Sequence, residues 1–220
     1  MLKLYSPKAA ERIIDGYRGA IEDTAARFCL PAPFIRALLY TELVRIDVLD
    51  PIADLIVRIN LRRGVSAGTG LLRKRDSSTG YGQIFGFVAI NAANFAAEHG
   101  FADPASLGLP NRRLDPGSAE DLWLMWSRLN RDPEFNIALS ALNLICAADE
   151  VTGKTDFTAF TAEEIRRIYT RYNGTAKQIT PYGEEAYRHY LRYAAAEEDR
   201  EESRSAGAKG AGPCASAQRK

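Results

Sequence analysis

Apolar residues recur at helical spacing along most of the chain, and this pattern predicts a domain built almost entirely from helices. In residues 51–62 and 161–173 they stand at i, i+3, i+4 and i+7, which places them on one face of a helix. Residues 7–28 also carry one apolar face, which predicts a single long helix there. No segment alternates apolar and polar residues for the length of a strand, so we expect at most a minor β-hairpin.

Residues 133–150 differ from the other predicted helices because they are apolar on almost every side. A helix that lacks a polar face belongs in the interior of a domain. The predicted fold class is therefore all-α, with the other helices arranged around this central buried helix. Asn136, Ser140 and Asn143 share one face of it, and we expect them to bind loop backbone or support a cleft from behind.

Capping residues mark where several helices begin. Ser6, Asp50, Asp132 and Thr180 each precede a proline, and proline suits the first position of a helix. The segment 63–82 is rich in glycine, serine and charge, and 100–117 contains three prolines, so both are expected to be irregular.

The composition changes near residue 196, where the chain becomes charged and then rich in Gly, Ala and Ser. No aromatic or large aliphatic residue follows Tyr193, so this part has little to bury. The sequence therefore predicts one domain over residues 1–195 and a disordered tail over 196–220.

Charge and cysteine usage exclude several functional classes. The formal net charge is +1, which gives no long-range attraction for nucleic acid or an anionic membrane. The 3 cysteines are widely spaced and only 2 histidines occur, so neither a metal site nor a redox pair is indicated, and no cofactor is expected. The N-terminus lacks the apolar run of a secretory signal, and no run approaches the roughly 20 residues that span a membrane. A cytoplasmic monomer as synthesised is expected, and a substrate outside the cell would require export by a non-classical route.

Glu42 is the strongest candidate for chemistry. It follows Ile35, Leu38 and Leu39 at intervals of seven, four and three residues, which places it on the apolar stripe of a helix that begins near Pro33. A poorly solvated carboxylate there has a raised pKa, as a general acid near neutral pH requires. The structural alternatives are that Glu42 caps the helix end, pairs with Arg45 or turns to water.

Two further segments carry candidate binding residues. In the first, Ser78, Gly82 and Gln83 belong to a glycine-containing segment, and Ile84 begins the amphipathic helix that follows it. Backbone can approach a ligand closely in such a segment, and the Gln83 amide can both donate to and accept from a sugar. In the second, Tyr172 and Asn173 end the helix over 161–173, and a tyrosine there can bury its ring and aim its hydroxyl into a cleft.

In order and character, these segments resemble the motifs of the goose-type lysozyme and lytic transglycosylase superfamily. That family has a helix ending in the catalytic glutamate, a G-L-M-Q segment, a buried helix with an N-I motif and an A-Y-N-A-G motif. This chain has Glu42, then 80–83 (GYGQ), then 136–137 (NI) and then 171–174 (RYNG). A final helix with the sequence YGEE at 182–185 resembles the family's closing helix, so the resemblance covers roughly residues 15–193.

The resemblance implies a peptidoglycan-cleaving muramidase in which Glu42 protonates the glycosidic oxygen. A lytic transglycosylase then uses the same residue as base, whereas an inverting lysozyme needs a second carboxylate to activate water. Asp76 is the preferred second carboxylate because it precedes the glycine segment, although it is equally a solvated loop residue. Asp50 is expected to cap a helix, Asp54 to pair with Arg58 on the surface, and Asp47 is a further candidate.

Departures from the family leave other functions open. Leu43 stands where the family has serine, Tyr81-Gly82 alters the glycine segment, and the added helix at 51–62 lengthens the connection. A sugar-binding module without turnover, or a helical interaction protein with a structural Glu42, therefore remain alternatives. The expected partners are peptidoglycan glycan strands, with a delivery machine or an inhibitor protein as further candidates.

Overall fold

The computed structural model describes residues 2–63, 74–175 and 177–210, and the side chains of residue 201 and residues 203–210 are outside this description. Within these ranges the α-helices are α1 (Pro7–Gly16), α2 (Arg18–Phe28), α3 (Ala32–Leu43), α4 (Asp50–Arg62), α5 (Gly86–Glu98), α6 (Ala119–Arg131), α7 (Pro133–Thr152), α8 (Ala162–Asn173) and α9 (Pro181–Gly210). A short 3-10 turn covers Pro104–Leu107. The all-α fold class is confirmed.

A single small β-hairpin interrupts the helices of the described chain. Strands β1 (Ser78–Thr79) and β2 (Ile84–Phe85) are antiparallel, and Thr79 pairs with Ile84. The prediction that Ile84 begins a helix is therefore wrong, since it lies in β2 and helix α5 starts two residues later.

Helix α7 lies at the centre of the domain, as its pattern predicts. It packs against α2, α3, α5, α6 and α8, and Ile137, Leu139 and Leu144 are completely buried. Its length and composition would suffice to cross a membrane, but 67% of its most apolar window is buried inside the fold. Core helices meet the same criteria, so this helix is weak evidence for a membrane span.

Most of the predicted capping residues are confirmed at their helices. Asp132 accepts from the Phe135 N–H at the start of α7, and Thr161 and Glu164 form a complete capping box at α8. Asp50 does not cap α4, because it is itself the first helical residue and its carboxylate accepts from the Asp47 N–H at 2.7 Å.

Two helix boundaries differ from those predicted. The single helix over 7–28 is divided at Tyr17, and Gly16 and Gly19 on either side have the low helix propensity that permits a break. Helix α9 continues beyond residue 195 to Gly210, so residues 196–210 are helical and their predicted disorder is corrected. Strong helix formers extend α9, and Glu197 lies 3.9 Å from Arg36 of α3. Residues 211–220 of the predicted tail lie outside the described residues.

Candidate functional site

Glu42 lies in the last turn of α3, where this helix packs against α9. Its side chain is only 7% exposed, yet it lines a surface pocket of about 140 Å³. The Tyr182 hydroxyl of α9 donates a hydrogen bond to Oε1 of Glu42. The carboxyl group is therefore shielded from bulk water without being sealed inside the core.

Burial dominates the electrostatics of Glu42. Desolvation raises its pKa from 4.5 to about 7, against smaller lowering effects of the Tyr182 hydrogen bond and the Arg45 charge. Arg45 does not pair with Glu42: its guanidinium binds Glu185 at 2.5 Å and stands 4.9 Å from the centre of the Tyr182 ring. The ion-pair alternative for Glu42 does not hold, and the raised pKa leaves a large protonated fraction near neutral pH.

The turn of the β-hairpin is held from behind by the central helix. Asn136 of α7 accepts from the Gly82 N–H at 2.8 Å and donates to the Thr79 carbonyl at 2.9 Å. The Tyr172 hydroxyl of α8 donates to the Gly82 carbonyl at 2.7 Å. The expectation that Asn136 binds loop backbone is thus confirmed by its contacts.

Gly82 allows this close contact between hairpin and helix. A Cβ atom at Gly82 would overlap the hydroxyl of Ser140 and come within 2.9 Å of its Cβ. Gly82 of the hairpin turn and Ser140 of α7 are both buried, so neither residue can move easily to make room.

Replacing Gly82 by alanine is expected to lower the free energy of unfolding by about 1–3 kcal/mol, the usual cost of overpacking. Chemical denaturation measures this loss, and adding Ser140→Ala should restore part of it because the nearest overlapping atom is removed. Gly19→Ala is the matched control, since a Cβ there meets nothing within 4 Å. An equal effect of the two single substitutions would contradict the packing argument.

Gln83 has a strained backbone at the mouth of the Glu42 pocket. Its φ of 45° lies in the left-handed region, which is uncommon for a residue other than glycine. Its side-chain amide donates to the Gly80 carbonyl at 2.8 Å and accepts from the Ser78 hydroxyl at 3.2 Å. These bonds fix the amide within the hairpin turn, and strain of this kind clusters at functional sites.

The structure brings most of the predicted binding residues together around Glu42. Tyr172 lies beside the carboxyl group, and burial together with the Glu42 charge raises its pKa well above its usual range, so it remains a neutral donor. Gly82 does not line the pocket, and its carbonyl accepts the hydrogen bond of Tyr172. The residues predicted from sequence that line the pocket with Glu42 are Ser78, Gln83, Ile84, Tyr172 and Asn173.

Asp76 is not part of this pocket, which corrects its assignment as the second catalytic carboxylate. Its two oxygens accept from the N–H groups of Gly86 and Phe87, at 2.9 and 2.8 Å. Burial raises its pKa, and these hydrogen bonds lower it in part. Asp76 therefore satisfies the free N–H groups at the start of α5, a structural role.

Of the four candidate aspartates, Asp50 lines the pocket that contains Glu42. Asp54 is committed elsewhere, because it accepts from Ser77 at 2.6 Å and Thr79 at 2.8 Å and joins α4 to the hairpin. The predicted surface pair of Asp54 with Arg58 does not form. Asp47 is buried below the start of α4, where it accepts from the Leu49 N–H.

Tyr182 and Arg45 complete the surroundings of Glu42, and neither was predicted as a site residue. Arg45 follows Glu42 by one turn, but Tyr182 is 140 residues away in sequence. The only sequence signal for Tyr182 is the resemblance of the 182–185 segment to the family's closing helix.

The described residues contain no group of three or more His, Cys, Asp or Glu side chains able to hold a metal ion. Comparison of the chain with models of protein families, with curated proteins and with solved structures finds no match. Evidence for a function therefore comes from the site itself and from the motifs in the sequence.

Proposed function

We propose that the chain is a muramidase that cleaves the MurNAc–GlcNAc bond of peptidoglycan as a lytic transglycosylase. One observation carries the proposal: a buried glutamic acid with a pKa of about 7 lines an open pocket beside Gln83 and Tyr172. A general acid is most effective when its pKa is close to the working pH.

The proposed reaction needs a single carboxyl group. Oε1 of Glu42 accepts from Tyr182, which leaves Oε2 to carry the proton. Glu42 gives this proton to the glycosidic oxygen as the bond from that oxygen to C1 of MurNAc breaks. The carboxylate then accepts the proton of the MurNAc 6-hydroxyl while O6 bonds to C1, which closes the 1,6-anhydro ring and restores the acid.

The test is to incubate the purified chain with bacterial sacculi and analyse the soluble products by mass spectrometry. The expected products end in 1,6-anhydromuramic acid, which is lighter by one water than a hydrolytic product. If the correctly folded chain releases no fragments from sacculi, the proposal is refuted.

Hydrolysis by an inverting mechanism is the second candidate, and the position of Asp50 favours it. Asp50 lines the same pocket as Glu42 and could activate a water molecule there. Products with reducing ends in place of anhydro ends would support this route if Asp50→Asn no longer forms them. An Asp50→Asn variant that keeps cleaving to anhydro ends would leave the single-carboxylate reaction in place.

Replacing Tyr182 by phenylalanine is expected to move the basic limb of the pH–rate profile upward by about one pH unit. The Tyr182 hydrogen bond stabilises the charged form of Glu42, so its loss raises the pKa and extends the acid form to higher pH. Initial rates on solubilised peptidoglycan from pH 5 to 9 measure the limb. Tyr187→Phe, on the same helix but stacked on Tyr190, is the control. A limb that stays in place or moves to lower pH would contradict the role of Tyr182.

A further inference from the structure

A second and larger cavity, of about 420 Å³, adjoins the pocket that contains Glu42. The two cavities share Ile46, Asp50 and Gln83 as lining residues. The other walls come from the N-terminal segment, the hairpin turn and helix α4, the helix that the sequence adds to the family pattern. A ligand bound at Glu42 that extends past these shared residues would enter this cavity.

Arg58 of α4 supplies the positive charge of this cavity. Its Nη2 donates to Asn130 at 2.7 Å, and its Nη1 donates to no other described residue, which leaves Nη1 for a ligand. The Nε has no hydrogen-bond partner either, but it is buried and out of a ligand's reach. None of the ion pairs between described residues involves Arg58. Asp54, one turn earlier, lines the same cavity, but its carboxylate accepts from Ser77 and Thr79. A guanidinium with unused donors in a cavity is suited to bind a carboxylate of a ligand.

The remaining walls offer complementary chemistry. The Asp50 carboxylate is suited to an ammonium group, and the rings of Tyr5 and Tyr81 provide apolar surface. The volume is within the range of small-ligand sites, roughly 300–1,000 Å³. The cavity therefore matches a ligand that carries a positive and a negative charge on an extended chain.

We propose that this cavity binds the stem peptide attached to muramic acid, with Arg58 holding a carboxylate of that peptide. The inference rests on the proposed function. A stem peptide carries free carboxylates and, at its diamino acid, an amine, which match Arg58 and Asp50. An amidase cuts the amide bond between the lactyl group and the peptide. The stripped glycan then carries only the lactyl carboxylate, next to the sugar ring. The chain then prefers glycan strands that still carry their peptides.

The first test compares cleavage of soluble, uncrosslinked glycan strands that carry peptides with the same strands after amidase treatment. The wild-type chain is expected to show kcat/KM about tenfold higher on the peptide-bearing strands, the scale of one charge-assisted hydrogen bond. Arg58→Gln should lose this preference and leave the rate on stripped strands unchanged, whereas Arg58→Lys should keep part of it.

Arg62→Gln is the matched control on the same helix, because the Arg62 guanidinium stands 5.3 Å from the centre of the Trp123 ring and outside the cavity. Thermal unfolding of each variant checks that the fold is kept. Equal wild-type rates on the two substrates would overturn the inference. Equal losses on both substrates in Arg58→Gln would also overturn it, because Arg58 would then act on the glycan that both strands share or through the fold. A loss on stripped strands alone would overturn it as well, because Arg58 would then hold the lactyl carboxylate that the amidase frees.

Calorimetry can compare the binding of a disaccharide-peptide with that of the same disaccharide after amidase treatment. This comparison separates the inference from the proposed function, because it does not require cleavage. If no glycan is cleaved but the peptide-bearing ligand binds and Arg58→Gln weakens it about tenfold, the cavity assignment stands without the enzyme. If the wild-type chain binds both disaccharides equally, or neither, the assignment fails.

Discussion

Replacing Glu42 by glutamine is expected to reduce the rate of peptidoglycan cleavage by about 100-fold or more, since general acid catalysis contributes roughly 10²–10⁴. Glutamine has nearly the same shape and can still accept the Tyr182 hydrogen bond through its amide oxygen. It has no proton of suitable acidity to give to the glycosidic oxygen. The substitution therefore removes the chemical step and leaves the pocket in place.

Release of soluble fragments from sacculi measures this loss, and binding of a disaccharide-peptide shows whether the pocket is intact. The matched control is Glu184→Gln, because Glu184 lies on α9 next to the site but binds Arg166 outside the pocket. Glu184→Gln should retain wild-type activity. A Glu42→Gln variant that keeps cleaving at a comparable rate would exclude Glu42 as the acid.

The position of Glu42 was predictable from the sequence because it depends on local geometry alone. Three apolar residues at helical intervals before it predict that the carboxyl group is buried, and in the structure every residue of α3 is buried. The same reasoning identified α7 as the central helix and the end of α8 at Asn173. Helical periodicity is strong evidence when a helix is long enough to repeat it.

The choice of the second carboxylate failed because it depends on contacts that sequence distance does not reveal. Asp76 precedes the glycine segment, which suggested a place in the cleft. Its partners are the N–H groups of residues ten and eleven positions later, and they become neighbours only when the hairpin forms. Asp50 lines the pocket as the first residue of α4, although its capping pattern predicts a position one residue before the helix.

The contact between Glu42 and Tyr182 illustrates the second limit of the sequence. Helices α3 and α9 are 140 residues apart at this point, and no periodic pattern specifies which faces meet. The bare backbone of Gly183 lets α9 approach α8 closely, because a Cβ there would lie 2.5 Å from the Arg166 carbonyl oxygen. That contact fixes the start of α9 and so positions Tyr182 over Glu42.

Glu42→Gln is also expected to stabilise the protein, and by an amount that grows with pH. Glu42 has a folded pKa of about 7, above its ordinary value of 4.5, so the folded chain keeps its proton where the unfolded chain has released it. The unfolding free energy of the wild-type chain therefore falls between about pH 4.5 and 7, by about 3 kcal/mol from this group. Glutamine does not titrate, and the variant avoids that loss.

The expected result is little difference between the two proteins at pH 5 and a gain for Glu42→Gln of about 3 kcal/mol at pH 8, or roughly 6–12 °C in Tm. Denaturant titrations at pH 5, 6.5 and 8 measure the trend, with Glu163→Gln on the exposed surface of α8 as the control. A gain that is the same at all three pH values would mean that burial does not perturb Glu42. A gain that rises with pH, combined with loss of cleavage, means that the fold carries a destabilising buried acid because the chemistry requires it.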